Sequence, residues 1–99
     1  MKGLGFATYA PSKIEWLEVR LNSMFRESVT ISDQYIHVYY HASQEVNTIN
    51  VVVEYTNISL KERTQWGESG KKHVKSMAKS YGWDKWLKVQ VKYEYTPEH

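Results

Sequence analysis

Two histidines, His37 and His41, stand four residues apart in the segment YIHVYYH, Tyr35 to His41. Imidazole nitrogens are common metal ligands, so a metal site is the first chemistry this spacing raises. The same segment alternates aliphatic with aromatic or imidazole side chains at a period of two, which is the pattern of a strand. Four residues along a strand span roughly 13 Å, far more than separates two ligands of one ion. A shared site would need a carboxylate such as Glu54 from a neighbouring strand, and neither a metal nor any other cofactor is expected. His73, flanked by lysines, is expected to be exposed, and His99 is terminal.

Other catalytic arrangements fare no better. Ser69 lies between Glu68 and Gly70, but no G-x-S-x-G elbow surrounds it and no His-Asp pair can be assigned to it. Gly67 and Gly70 precede Lys71 and Lys72, yet the spacing fails the phosphate-loop pattern G-x-x-x-x-G-K-[ST]. Glu15 and Glu18 fall on a capped helix, where solvation and helix-dipole support account for them. The chain has no cysteine, which excludes disulfides, thiolate zinc sites and cysteine nucleophiles together. The chain is therefore read as not an enzyme.

Binding chemistry is better represented. Between Leu60 and Lys92 nine Lys or Arg residues face three acidic ones, whereas the first 59 residues carry four basic and six acidic groups. Within the basic half, Lys71, Lys72, Lys75 and Lys79 interleave with Val74, Met77, Ala78 and Tyr81 at helical spacing. If the apolar set faces a core, the lysines form a ridge on the other side, a candidate contact for nucleic acid. On YIHVYYH, Ile36, Val38 and Tyr40 share one strand face, and Tyr35, His37 and Tyr39 share the opposite one. Together with Asn50, Val52, Thr56, Lys88, Gln90 and Lys92 on neighbouring strands they would form an outward surface of rings, polar groups and cations. Tyrosine offers large contact area with little rotamer entropy to lose, so such a face suits protein contact or self-association.

These residues need elements to hold them. From Ser12 to about Glu27 the apolar positions Ile14, Leu17, Leu21, Met24 and Phe25 recur at three- and four-residue spacing, and Ser12 with Glu15 makes a capping box after Pro11, so a helix is expected. Trp16 lies off that stripe. Val29–His41 and Val46–Thr56 are rich in β-branched and aromatic residues around the polar Ala42–Glu45, which predicts a hairpin. Val29 and Ile31 have odd numbers while Ile36, Val38 and Tyr40 have even ones, so a bulge or break is expected near Ser32–Asp33. Ser59 and Glu62 form a second capping box ahead of a helix that ends at Gly82; it starts there or, because of Gly67 and Gly70, near Gly70. Leu87 to Tyr95 alternates cleanly as a last strand. Leu4, Phe6 and Thr8 could form a first one.

The expected fold is a single α+β domain over residues 1–99, with two helices on one face of an antiparallel sheet of three or four strands. With the first strand, β-α-β-β-α-β resembles the ferredoxin-like order; without it, α-β-β-α-β resembles a cystatin-type sheet. The segment GESGKKHVKSMAKSY resembles the start of the last helix of double-stranded RNA-binding domains, a resemblance that implies phosphate contacts by Lys71, Lys72 and Lys75. A sheet that binds RNA through Tyr35 and Tyr39 lacks the aromatic patterns of RNA-recognition motifs.

The expectation is a non-catalytic interaction domain. It would bind a protein partner or itself through Tyr35, His37, Tyr39, Lys88, Gln90 and Lys92. The alternative is nucleic acid on Lys71, Lys72, Lys75 and Lys79. No run of residues reaches the roughly 18 apolar positions of a transmembrane helix. Met1 as a native start would make the chain cytoplasmic, and as a product of cloning would make it the soluble part of an exported protein.

Overall fold

The computed structural model describes residues 12–97. Their order is α1 (Lys13–Phe25), β1 (Glu27–Ile31), β2 (Gln34–Ala42), β3 (Thr48–Thr56), α2 (Leu60–Ser80) and β4 (Lys88–Tyr95). The α+β class holds, with both helices packed against one face of a four-stranded sheet ordered β1-β2-β3-β4. Three strands, rather than two, separate the helices. The suggested strand around Leu4, Phe6 and Thr8 lies outside the described residues.

The parity break near Ser32 is the reason for the third strand. Ile31 pairs with Gln34, so Ser32 and Asp33 form a two-residue turn and the single strand expected across Val29–His41 is itself a hairpin. Ser32 takes a positive φ of 56° there. Reversing the chain lets Val29 and Ile36 stand opposite each other and share the helix-facing side despite their unlike parity.

The sheet is mixed, which corrects the expectation of an antiparallel one: β1-β2 and β2-β3 are antiparallel, whereas β4 runs parallel to β3. The cause is α2. Its 21 residues carry the chain back about 31 Å, the length of a nine-residue strand. Lys88 therefore enters the sheet beside the beginning of β3, where its N–H donates to the Asn47 carbonyl at 2.8 Å.

Both helices are capped as their sequences imply. Ser12 and Glu15 form a complete capping box, and Ser59 accepts from the Glu62 N–H. At the end of α2 the Trp83 N–H reaches the Ala78 carbonyl and the Gly82 N–H reaches that of Lys79, with Gly82 at φ 74°. This is a Schellman stop, the left-handed position being glycine as required. Gly67 and Gly70 do not start the helix. They sit inside it, buried against the sheet: a Cβ on Gly70 would lie 2.6 Å from Val51 Cγ1, and one on Gly67 would lie 2.8 Å from Val91 Cγ1. Close approach of α2 outweighs the helix-propensity loss of about 1 kcal/mol per glycine.

The core lies between layers. Leu17 and Leu21 from α1 and Val74 and Met77 from α2 bury against Ile36, Val38, Tyr40, Ile49, Val51 and Val53. His73 is not an exposed residue. It is half-buried, its ring stacked on Phe25 at 4.0 Å and 9°.

Candidate functional site

The sheet face away from the helices is built by register. Opposite Tyr35, His37, Tyr39 and His41 of β2 stand Thr56, Glu54, Val52 and Asn50 of β3, and opposite Thr48, Asn50, Val52 and Glu54 stand Lys88, Gln90, Lys92 and Glu94 of β4. The sequence-selected residues Tyr35, His37, Tyr39, Lys88, Gln90 and Lys92 therefore do share one face. Lys88, Gln90 and Lys92 are exposed and the three rings half-buried. The middle of the face is closed, however. Thr48, Asn50 and Val52 are at most 4% exposed, so the accessible part is its rim.

Hydrogen bonds hold the rings of β2 in place. Arg26, just before β1, donates from Nε to His37 Nε2 at 3.0 Å. That contact makes Nε2 an acceptor and leaves the proton on Nδ1, which donates to Glu54 Oε1 at 3.1 Å. Tyr39 donates its hydroxyl proton to Glu54 Oε2 at 3.4 Å. The His37 ring lies 6.4 Å from Tyr35 and 5.0 Å from Tyr39, centroid to centroid. Burial, and then the Glu54 and Glu94 carboxylates, raise the Tyr39 pKa above its usual 10.0. Tyr39 thus stays a neutral donor at ordinary pH.

Charge is unevenly placed across this face. Glu54 and Glu94 stand side by side at one end and Lys88 lies at the other, with Lys92 at the outward position next to Glu94. Asn50 Oδ1, near the middle, is buried and has no hydrogen-bond partner among the described residues.

The histidines do not combine. His37 turns to Glu54, while His41 Nδ1 lies 3.5 Å from Glu18 Oε1 on α1. Among the described residues no three His, Asp or Glu side chains are gathered as metal ligands.

The lysines of α2 occupy a separate surface. Lys72, Lys75 and Lys79 are exposed and Lys71 is half-buried. Lys71, Lys75 and Lys79 recur every four residues, which sets them about 6 Å apart along the helix axis. Lys75 and Lys79 flank a groove of about 300 Å³ with Ala78, Asp84, Leu87 and Val89. Lys71 and Lys72 fall in the middle of α2, about three turns after its start. The resemblance to double-stranded RNA-binding domains, which expects them at a helix N-terminus, does not extend to that position.

One group was not singled out by sequence. At the C-terminal end of α2, Trp16, Tyr81, Trp83 and Trp86 form an aromatic array: Trp16 meets Tyr81 at 5.0 Å and Trp83 at 6.0 Å, both edge-on, and Trp83 meets Trp86 at 5.8 Å. Lys13 Nζ lies over the Trp83 and Trp86 rings at 5.3 and 5.7 Å, and Arg20 lies over Trp16 at 5.6 Å. The signal in the sequence is aromatic density alone. Trp83 and Trp86 come after the helical spacing that ends at Tyr81 and have no periodicity of their own, because the turn after the Schellman stop brings them together.

No family model, curated protein or solved structure matches this chain. No described helix is long and apolar enough to cross a membrane.

Proposed function

We propose that this chain is a non-catalytic interaction domain that associates with a second copy of itself through the outer face of the sheet. The charge pattern carries this reading. Lys88, Gln90, Lys92 and Glu94 point outward from the edge strand β4, basic at its start and acidic at its end. Stack two copies about a two-fold axis perpendicular to their strands, with β4 over β4, and Lys88 of each meets Glu94 of the other. A two-fold contact of this kind is self-complementary.

The rings of β2 favour the same use. Glu54 and Arg26 hold His37 and Tyr39 in fixed positions, so little side-chain freedom is lost on contact. Four strands of five to nine residues about 4.8 Å apart bound an outer face of roughly 500 Å² per copy, of which only the rim around Thr48, Asn50 and Val52 is accessible, so the contact falls below the total of about 1,000 Å² that marks the lower limit of a specific interface. The association is accordingly weak, with a dissociation constant on the order of micromolar.

Sedimentation over a wide concentration range tests it. Wild type should show a concentration-dependent dimer. Lys88→Glu and Glu94→Lys should each be monomeric alone, and an equimolar mixture of the two should dimerise, since every opposed pair is then of unlike charge. A strict monomer at the highest soluble concentration, or dimers unaffected by either reversal, overturns the reading.

A further inference from the structure

β4 is an edge strand of the sheet. The N–H of Lys88 donates to the Asn47 carbonyl and that of Thr96 to the Tyr55 carbonyl, so the even-numbered residues of β4 direct their backbone groups to β3. The odd-numbered ones direct theirs outward. Val89, Val91, Tyr93 and Tyr95 thus present a row of N–H and C=O groups that no described strand pairs. β4 has eight residues in unbroken register, whereas β1 at the opposite edge has five. A long regular edge is a template for a further strand.

Register and charge select the strand that fits. A second β4, laid antiparallel about a two-fold axis, brings the free groups together only when odd-numbered residues stand opposite odd-numbered ones. Centred on Gln90, such a pairing sets Lys88 against Lys92, and centred on Lys92 it sets that lysine against its own copy. Centred on Val91, it sets Lys88 against Glu94, Gln90 against Lys92 and Val89 against Tyr93. Of the three, only the last pairs unlike charges, and it does so at both ends. Lysines on an edge usually discourage pairing, and here each finds a carboxylate or an amide opposite.

The helix layer leaves room for the added strand. Beside β4 runs the groove of about 300 Å³ lined by Lys75, Ala78, Lys79, Asp84, Leu87 and Val89. In the Val91-centred register Tyr93 and Tyr95 of the second copy come opposite Val89 and Leu87, which line that groove. These tyrosines are 40% and 61% exposed in the single chain, and the contact would cover them. Gly67 lies over Val91, so Lys75 stands about 12 Å along α2 from the level of the axis. The groove lysines of the two copies therefore do not face each other.

We infer that β4 pairs edge to edge with β4 of a second copy, antiparallel and centred on Val91, joining two four-stranded sheets into one. About six backbone hydrogen bonds form, from the Val91 pair and the two Val89–Tyr93 pairs. The contact goes beyond stacking through the outer face and does not require it. Both set Lys88 of one copy against Glu94 of another about the level of Val91, so they are compatible and together close a set of four copies.

Charge reversal at Lys88 or Glu94 alters both contacts, so the test uses backbone groups that only the edge engages. Amide hydrogen exchange of the wild-type chain, followed by NMR over the concentration range of the sedimentation runs, reads them directly. The N–H groups of Val89, Val91 and Tyr93 should exchange severalfold more slowly at high concentration, while those of Gln90 and Lys92, bonded to β3 throughout, change little. Val91→Pro deletes the central N–H without touching the β3 ladder, where an edge strand tolerates proline. With its fold checked by circular dichroism, this variant should weaken association at least about tenfold. Slowed exchange in wild type with a strictly monomeric Val91→Pro supports the edge contact and removes the face contact. Unchanged exchange at Val89, Val91 and Tyr93 in a protein that dimerises overturns the edge contact and leaves the face contact standing. A strict monomer at the highest soluble concentration overturns both. Slow exchange already at the lowest concentration would mean that the chain covers its own edge, and it overturns the inference, as does a folded Val91→Pro variant that associates like wild type.

Discussion

Asn22 on α1 serves Tyr40 on β2 as a neighbouring strand would. Its Nδ2 donates to the Tyr40 carbonyl and its Oδ1 accepts from the Tyr40 N–H, both at 2.8 Å. β1 pairs with β2 only as far as Glu27 opposite Val38, so the next backbone groups on that edge belong to Tyr40 and Ala42. One turn earlier on α1, Glu18 accepts from the Ala42 N–H. Side chains of a helix thus continue the ladder where the strand ends, and the otherwise open edge of β2 is covered.

Removing that substitute strand should be costly. Asn22→Ala leaves both Tyr40 groups without their partner and is expected to lower stability by about 1–3 kcal/mol. Asn22→Asp keeps the acceptor and loses the donor, so it should fall between Ala and wild type. Urea unfolding at neutral pH measures both. A loss below about 0.5 kcal/mol for the alanine variant would mean that water replaces the side chain freely.

Much of this framework was legible in the sequence, and the parts that were not have specific physical reasons. Capping boxes at Ser12 and Ser59 located both helices, and the change of parity between Ile31 and Ile36 located the break at Ser32. Strand direction was not legible in β4, because an alternation such as LKVQVKYEY reads the same whether its neighbour runs parallel or antiparallel. The grouping of Tyr35, His37 and Tyr39 with Lys88, Gln90 and Lys92 followed from alternation alone. The closure of the face around Asn50 and Val52 did not, since alternation assigns a residue to a side of the sheet and does not say how much of that side is covered. Asn22 read as an ordinary helix residue, and its role requires knowing where β1 stops.

Gly70 sets the distance between α2 and the sheet. In a free helix Gly→Ala would stabilise by about 1 kcal/mol. Here the new methyl would meet Val51 Cγ1 at 2.6 Å, with Tyr40 Oη at 3.5 Å and Val38 Cγ1 at 3.6 Å behind it. Gly70→Ala is expected to destabilise by a net 1–3 kcal/mol, roughly the range for overpacking. Val51→Ala should relieve the clash in the double variant. A coupling energy of about 1 kcal/mol or more in the thermodynamic cycle would confirm that the two positions share the space, and strict additivity would place the strain elsewhere.

The Ser32–Asp33 turn offers a change of opposite sign. Ser32 carries its positive φ of 56° at the first central position of a two-residue hairpin turn, the place where type II′ turns take glycine. Left-handed backbone costs a residue with a Cβ about 1–2 kcal/mol, and glycine gives back part of this through its greater freedom when unfolded. Ser32→Gly should therefore stabilise by about 0.5 kcal/mol. Ser32→Val, β-branched at the same φ, should destabilise, and thermal unfolding of the pair distinguishes backbone strain from loss of the serine hydroxyl.

Tyr40 should make stability depend on pH at the alkaline end. Its side chain is 1% exposed beneath α2, and burial, with a smaller contribution from the Glu27 carboxylate, pushes its pKa up to about 12 from 10.0. In the unfolded chain the phenol loses its proton near pH 10, whereas the folded protein retains it to about pH 12. Within that window the folded state binds more protons, so stability falls as pH rises. The stabilisation is complete below about pH 10 and lost progressively up to about pH 12, with an upper limit of about 2–3 kcal/mol. Comparing urea unfolding of wild type and Tyr40→Phe at about pH 9 and about pH 11.5 isolates this residue, because the other tyrosines and the lysines titrate in both proteins. Wild type should lose more stability than the phenylalanine variant across the interval. If the two lose the same amount, the Tyr40 hydroxyl ionises without opening the core, and the contact between α2 and β2 must admit water on the path to the phenol.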